Sequence, residues 1–132
     1  MYVLLGDGEL NEGQIWEAAM SAAKFKLDNL VALVDLNGQQ VDGDTSEVMP
    51  LIHLEEKWSS FGWDVAFVDN GHDFNLIHQS LSLTREKPMV VILKTVKGKG
   101  ISFMESNKLW HSNKLDEELK KKALGEVGMN VG

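Results

Sequence analysis

Two short apolar runs, each closed by a polar turn, restrict what this chain can fold into. Val3-Leu4-Leu5 stops at Gly6-Asp7-Gly8, and the run from Asn29 to Val34 stops at Asp35-Leu36-Asn37-Gly38. Between them Ile15, Trp16, Ala18, Ala19, Ala22, Ala23 and Leu27 recur at the helical period, so the pattern predicts strand, helix, strand. The strands of such a unit run parallel, and their carboxyl ends open on one edge of the sheet. Asp7 and Asn37, far apart in sequence, are therefore expected side by side.

That juxtaposition has a chemical use. Asp7 offers a carboxylate and Asn37 an amide carbonyl, hard oxygen donors suited to Mg²⁺ or Ca²⁺, and Gly8 would let a bulky anion approach the backbone at the helix entrance. A hard cation that keeps open positions completes its shell with phosphate oxygens, so the pair reads as a metal-bridged diphosphate site. It reads equally as two ordinary turns, since Gly-Asp-Gly and Asp-x-Asn-Gly are both common turn text. Asp35-x-Asn37-x-Gln39 does not continue as an EF-hand, because Gln40 stands where that loop needs Gly and Ser46 where it needs Glu.

A length of 132 residues allows one domain with a real core, and a hydrophobic content of 43% suits an α/β protein. No apolar run reaches the ~18 residues of a membrane span, and no basic leader is expected, so a cytoplasmic, non-membrane protein is the expectation. With no cysteine, disulfides and thiolate metal sites are excluded. A net charge of −7 argues against nucleic-acid binding, and Lys120 to Lys122 follow acidic residues within a predicted helix, as on a solvated face.

Downstream, Asp44 to Pro50 is expected as a loop, followed by a short helix through Leu54, Lys57, Trp58 and Phe61 that ends at Gly62. Trp63 to Val68 is a predicted strand. Asp73 caps the next predicted helix, which runs through Phe74, Leu76, Ile77 and Leu81. Met89 to Leu93 is an unbroken apolar strand of the kind buried on both faces. Lys97-Gly98-Lys99-Gly100 is a flexible basic loop without the Ser/Thr of a P-loop. Leu115 to Leu124 is a predicted amphipathic helix before a Gly-rich end expected to fray. Glu9, Asn11 and Glu12 crowd the first helix entrance, where capping is their plain role. His53 and His78 have no partner pattern.

Gly6-Asp7-Gly8 with Asn37 resembles the thiamine-diphosphate signature, and GELNEGQIWEAAMSAAKFKLDNLVALVDLNGQQVDG is similar to transketolase text. The resemblance continues through Val96-Lys97-Gly98-Lys99-Gly100 and Met104-Glu105 to Trp110-His111, although Ser112 replaces the glycine of the family's Trp-His-Gly. The N-terminal subunit of split, two-chain transketolases is matched best, without its leading half.

The resemblance implies an α/β fold, a partial doubly wound parallel sheet of the thiamine-diphosphate-binding class whose first part is missing. Residues 1–96 would form its βαβαβαβ core and 97–132 a cofactor-channel loop and terminal helix. It implies thiamine diphosphate and Mg²⁺ (or Ca²⁺) as cofactors. Asp7, Asn37 and the Gln39 backbone carbonyl would ligate the metal, and Gly6, Gly8, Glu9, Asn37, Val41 and His111 would contact the cofactor. His111, and Glu12 in an interfacial acid network, would be the catalytic residues. The implied partners are sugar phosphates, a pyrimidine-binding transketolase subunit, and the missing part of the domain, in a homo- or hetero-oligomer with an interface around Glu12 and Trp16. The implied activity is ketol transfer, absent from the chain alone. An α-subunit of a 2-oxoacid dehydrogenase and a non-catalytic interaction module are the alternatives. The first fits less well, because that family carries paired asparagines and Arg-Tyr-Gly after the second strand.

Overall fold

The computed structural model describes residues 1–128. Its centre is a parallel sheet of β1 (Tyr2–Gly6), β2 (Val31–Leu36), β5 (Asp64–Val68) and β6 (Met89–Lys94), in the order β1-β2-β6-β5. A separate two-stranded antiparallel hairpin joins β3 (Gln39–Gln40) to β4 (Gly43–Asp44). The chain steps from β1 to β2 in one direction and from β5 to β6 in the other. With one hand of crossover, the intervening helices must fall on opposite faces.

They do. On one face α1 (Gly13–Lys24) and α3 (Leu54–Ser60) cover a core of Leu5, Leu10, Ala19, Ala22, Ala32, Val34, Trp58, Trp63, Val90 and Ile92. On the other, α4 (Phe74–Leu81) packs Ile77 and Leu81 against Val31, Val68, Met89, Val91 and Leu93. Alternate residues of β2 and β6 thus serve alternate cores, and Met89 to Leu93 is buried throughout, as its continuous apolar text requires. Each large side chain so enclosed contributes roughly 1.5–3 kcal/mol relative to exposure. β1 is an outer strand whose Tyr2 and Leu4 are 62% and 68% exposed.

Several predicted boundaries move. Leu27 lies beyond α1, which stops at Lys24. Lys26 turns left-handed (φ 51°), and the N–H groups of Lys26 and Leu27 close back onto Ala23 and Ala22 at 3.1 Å. The expected loop from Asp44 contains the short helix α2 (Thr45–Val48). The terminal helix, α5 (Glu117–Glu126), starts two residues later than Leu115 and buries only Ala123, with Asp116 capping Leu119 N–H at 2.8 Å. The end expected to fray lies, from Met129 on, outside the described residues.

Trp16, expected to leave its ring partly exposed at an interface, is half-buried. Its ring lies 5.2 Å from Trp58 and 5.5 Å from Phe61, and its indole N–H donates to Leu10 carbonyl at 2.8 Å. Trp63 completes the group, 4.9 Å from Trp58, with its own N–H on Ala19 carbonyl at 2.9 Å. Such aromatic packing adds about 0.5–1.5 kcal/mol per pair beyond area burial.

Candidate functional site

β1 and β2 pair in register from Tyr2–Val31 to Gly6–Asp35, which brings their carboxyl ends together. Asp7, the first residue past β1, is 1% exposed. Its Oδ1 accepts the Gly8 N–H at 2.7 Å and its Oδ2 the Gly38 N–H at 2.6 Å, while its own N–H donates to Asp35 carbonyl at 3.2 Å. Asn37 is held in the same knot: Oδ1 accepts the Gln39 N–H at 2.9 Å and Nδ2 donates to Asp35 Oδ2 at 3.3 Å. Asp35 Oδ1 in turn accepts the Thr95 hydroxyl, which ties β2 to the exit of β6.

Burial pushes the Asp7 carboxyl above its ordinary value of 3.8. The Gly38 and Gly8 N–H groups pull the other way, Asp35 adds repulsion, and Lys97 attracts weakly. A carboxylate has about four lone-pair positions, so two remain after these bonds. A divalent cation on one of them would reverse the burial penalty, so the donor set of Asp7, Asn37 and the Gln39 carbonyl fits a hard cation. Among the described residues no group of three or more His, Cys, Asp or Glu could hold a metal without help. A cation here needs a backbone carbonyl and ligand oxygens.

This knot floors a cleft of about 540 Å³. Gly6, Asp7, Gly8, Glu9, Glu12, Asn37, Gln39, Val41 and His111 all line it, so the metal, cofactor and catalytic residues assigned from the sequence come to one place. The carboxylates of Asp7, Glu9, Glu12, Asp35 and Asp42 face only Lys97 and His111 as basic groups. A diphosphate entering so acidic a cleft requires a cation between itself and the wall.

The opposite wall is the segment after β6. Gly98 adopts φ 73°, and a Cβ there would lie 2.6 Å from Met104 carbonyl oxygen, so only glycine closes this turn. Lys97 carbonyl accepts the Ser106 N–H at 2.8 Å, and Lys97 Nζ lies 3.3 Å from His111 Nδ1. Gln39 Nε2 donates to Ser106 carbonyl at 3.0 Å and Lys108 pairs with Asp44 at 2.9 Å, which docks the segment on the β3–β4 hairpin. Behind it Phe103 meets Trp110 edge-on at 5.2 Å, Lys122 stands 5.1 Å over the Phe103 ring, and Glu126 accepts from Ser102 N–H and hydroxyl at 2.5 and 2.8 Å.

The family model for transketolase, thiamine diphosphate binding domain, matches residues 1–131. This chain belongs to the transketolase family. It is 45% identical over 130 residues to the 6-deoxy-6-sulfo-D-fructose transketolase subunit SqwG of Clostridium sp. strain MSTE9, covering 96% of this chain and 47% of that protein. It is 43% identical over 132 residues to a subunit of the apulose-4-phosphate transketolase of Phocaeicola vulgatus, covering 98% and 47%. The chain thus spans about half the length of these curated relatives. The crystal structure of transketolase from Campylobacter jejuni superposes with a TM-score of 0.87 at 33% identity, over 98% of this chain and 20% of that one. The α/β thiamine-diphosphate-binding fold expected from the sequence is therefore present.

Within this transketolase domain some local expectations change. Gly8 does not open a helix toward an anion. Gly8 to Asn11 form a 3₁₀ turn before α1, the Gly8 N–H is taken up by Asp7, and the space a Cβ would take is met by Gln40 Cβ at 2.9 Å. The open approach is at Gly6, where a Cβ would meet nothing within 4 Å. Glu12 sits at the N-cap of α1, but its side chain makes no cap bond, and Glu9 Oε2 accepts the Gly6 N–H at 3.1 Å instead. Val41 is exposed on the hairpin. Asp35 and Lys97, absent from the sequence-derived site, complete the cleft. A local signal existed for each, the first in the Asp-x-Asn-Gly turn and the second in the basic loop.

Proposed function

We propose that this chain is the diphosphate- and metal-binding part of a transketolase that moves a two-carbon ketol unit from a ketose phosphate to an aldose phosphate. The observation that carries the reading is the acidic strand-end cleft, in which a buried carboxylate and an Asn carbonyl meet opposite a lysine and a histidine. In this reading Asp7, Asn37 and the Gln39 carbonyl hold Mg²⁺. Thiamine diphosphate, when bound, supplies a nucleophilic thiazolium carbon. The chain's own residues bind and orient: Lys97 and His111 neutralise and hydrogen-bond phosphate oxygens, Gly6 leaves room for them, and Glu9 and Val41 line the approach. Glu12, exposed and uncapped, is free to join an acid network across a subunit interface.

Such an enzyme also needs a pyrimidine-binding subunit, so residues 1–132 alone would be inactive. A cytoplasmic setting and sugar-phosphate substrates belong to the same proposal. The test is calorimetric titration of thiamine diphosphate with Mg²⁺ into the chain, alone and with a pyrimidine-binding transketolase subunit. Magnesium-dependent binding that tightens with the subunit is expected, together with ketol transfer only in the mixture. Failure to bind in both arms would overturn the reading in favour of a non-catalytic module.

A further inference from the structure

We infer that His72 is a positioning residue for the cleft, holding Lys97 in place by accepting the Val96 N–H. β6 ends at Lys94, and the chain leaves the sheet through Thr95 and Val96 to reach Lys97. The turn after β5 folds back onto this exit at two points: Gly71 N–H donates to Lys94 carbonyl at 2.8 Å, and Val96 N–H donates to His72 Nε2 at 2.8 Å. At Gly71 a Cβ would lie 2.8 Å from Thr95 Cγ2 and 2.9 Å from Lys94 carbonyl oxygen, so turn and strand exit are in direct backbone contact. The turn is itself fixed, because Asn70 Oδ1 accepts the His72 N–H at 3.2 Å and Asp73 caps α4 through Asn75 N–H at 2.8 Å.

The next residue along carries the cleft's lysine, whose Nζ lies 3.3 Å from His111 Nδ1. A smaller cleft of about 300 Å³ is lined by His72 and Val96 and shares Asp35, Asn37 and Lys97 with the main one, so the latch lies one residue from the ligand-facing wall. Accepting at Nε2 requires the ring proton on Nδ1. His72 is exposed, so the bond adds little to global stability. Its effect is to fix where the exit points, as hydrogen-bonded outer residues fix a ligating group. What the cleft binds rests on the function proposed above; the latch does not.

The experiment compares the 132-residue chain with His72→Leu, which has no acceptor, and His72→Gln, which presents an amide oxygen. By NMR, His72→Leu should speed Val96 amide exchange about fivefold and shift the Lys97 amide and His111 ring resonances at unchanged melting temperature, and His72→Gln should restore both. Affinity for thiamine diphosphate with Mg²⁺ should fall roughly tenfold in His72→Leu and recover in His72→Gln. Unchanged Val96 exchange, an unmoved His111 ring, or no recovery in His72→Gln overturns the inference. If the wild-type chain binds no thiamine diphosphate while the NMR responses appear, the latch stands and the proposed function falls.

Discussion

The two walls of the cleft are built in opposite ways. The strand-end wall is an extension of the sheet, in which Asp7 is buried and bonded to two backbone N–H groups and cannot move unless β1 or β2 moves. The wall from Lys97 to His111 has no sheet beneath it. It is held by one tight glycine turn, a few polar bonds to the hairpin, and a small packing of Phe103, Trp110 and α5 at the surface. The difference teaches that the arrangement of the Asp7 and Asn37 oxygens is set when the domain folds, while the basic wall is adjustable at small free-energy cost. Surface contacts of this kind contribute about 0–1 kcal/mol each.

The comparison breaks first at Asp7. Asp7→Ala leaves two N–H groups in a buried knot without their acceptor, a cost of roughly 1–3 kcal/mol apiece, partly offset by removing a buried charge. A net loss of about 2–4 kcal/mol by chemical denaturation is expected, along with metal-dependent cofactor binding weakened tenfold or more. Gln39→Ala should keep the backbone carbonyl and spare most of both. If Gln39→Ala is the worse variant, the sheet-rooted wall does not carry the ligand.

Gly98→Ala attacks the other wall. With φ 73° and Met104 in the way, alanine should cost about 1–3 kcal/mol, and the cost should stay local. Limited proteolysis should cut between Lys97 and His111 while the sheet amides keep their exchange protection. Loss of protection across β2 and β6 would show the two walls to be one unit.

Acid should drive the walls apart in sign. Burial raises the Asp7 carboxyl above 3.8 in the folded chain, so acidification through the window between that raised value and 3.8 adds folded stability from this group. The bonds from Ser102 hold Glu126 below its ordinary 4.5, so its contribution is present above 4.5 and is lost as pH falls through the lowered value. Residue-resolved amide exchange from pH 6 to about 3 should show α5 loosening while the Gly38 amide does not. Magnesium affinity should fall over the same range as Asp7 takes up its proton. The smallest effect is expected at Lys121, exposed on α5, where Lys121→Ala should stay within about 0.5 kcal/mol by melting.

How far the text could be read follows from the range of the forces involved. Val3 to Leu5, Asn29 to Val34 and Met89 to Leu93 announced a parallel sheet because their apolar residues are consecutive in the text, and Asp73 announced its cap because the bond closes within the same turn. Asp7 and Asn37 were found because one βαβ unit fixes both strand ends. What stayed hidden depends on partners distant in sequence: Thr95 on Asp35, Gln39 on Ser106, Val96 on His72. The 3₁₀ turn after Asp7 was missed because one carboxylate serves two turns at once. The packing partners of Trp16 stayed hidden by the same distance in sequence, since Trp58 and Phe61 come from α3 and its end.

The aromatic group under the sheet has an optical consequence. Of the four tryptophans, Trp16, Trp58 and Trp63 pack together beneath β1 and β2, while Trp110 stands apart from them, against Phe103 behind the wall that carries His111. Ultraviolet emission from this chain is therefore the sum of a nearly constant signal from the trio and one variable signal from Trp110. Subtracting the spectrum of Trp110→Phe isolates the variable part, so the chain carries its own fluorophore for reporting how the wall from Lys97 to His111 is packed, with no label attached.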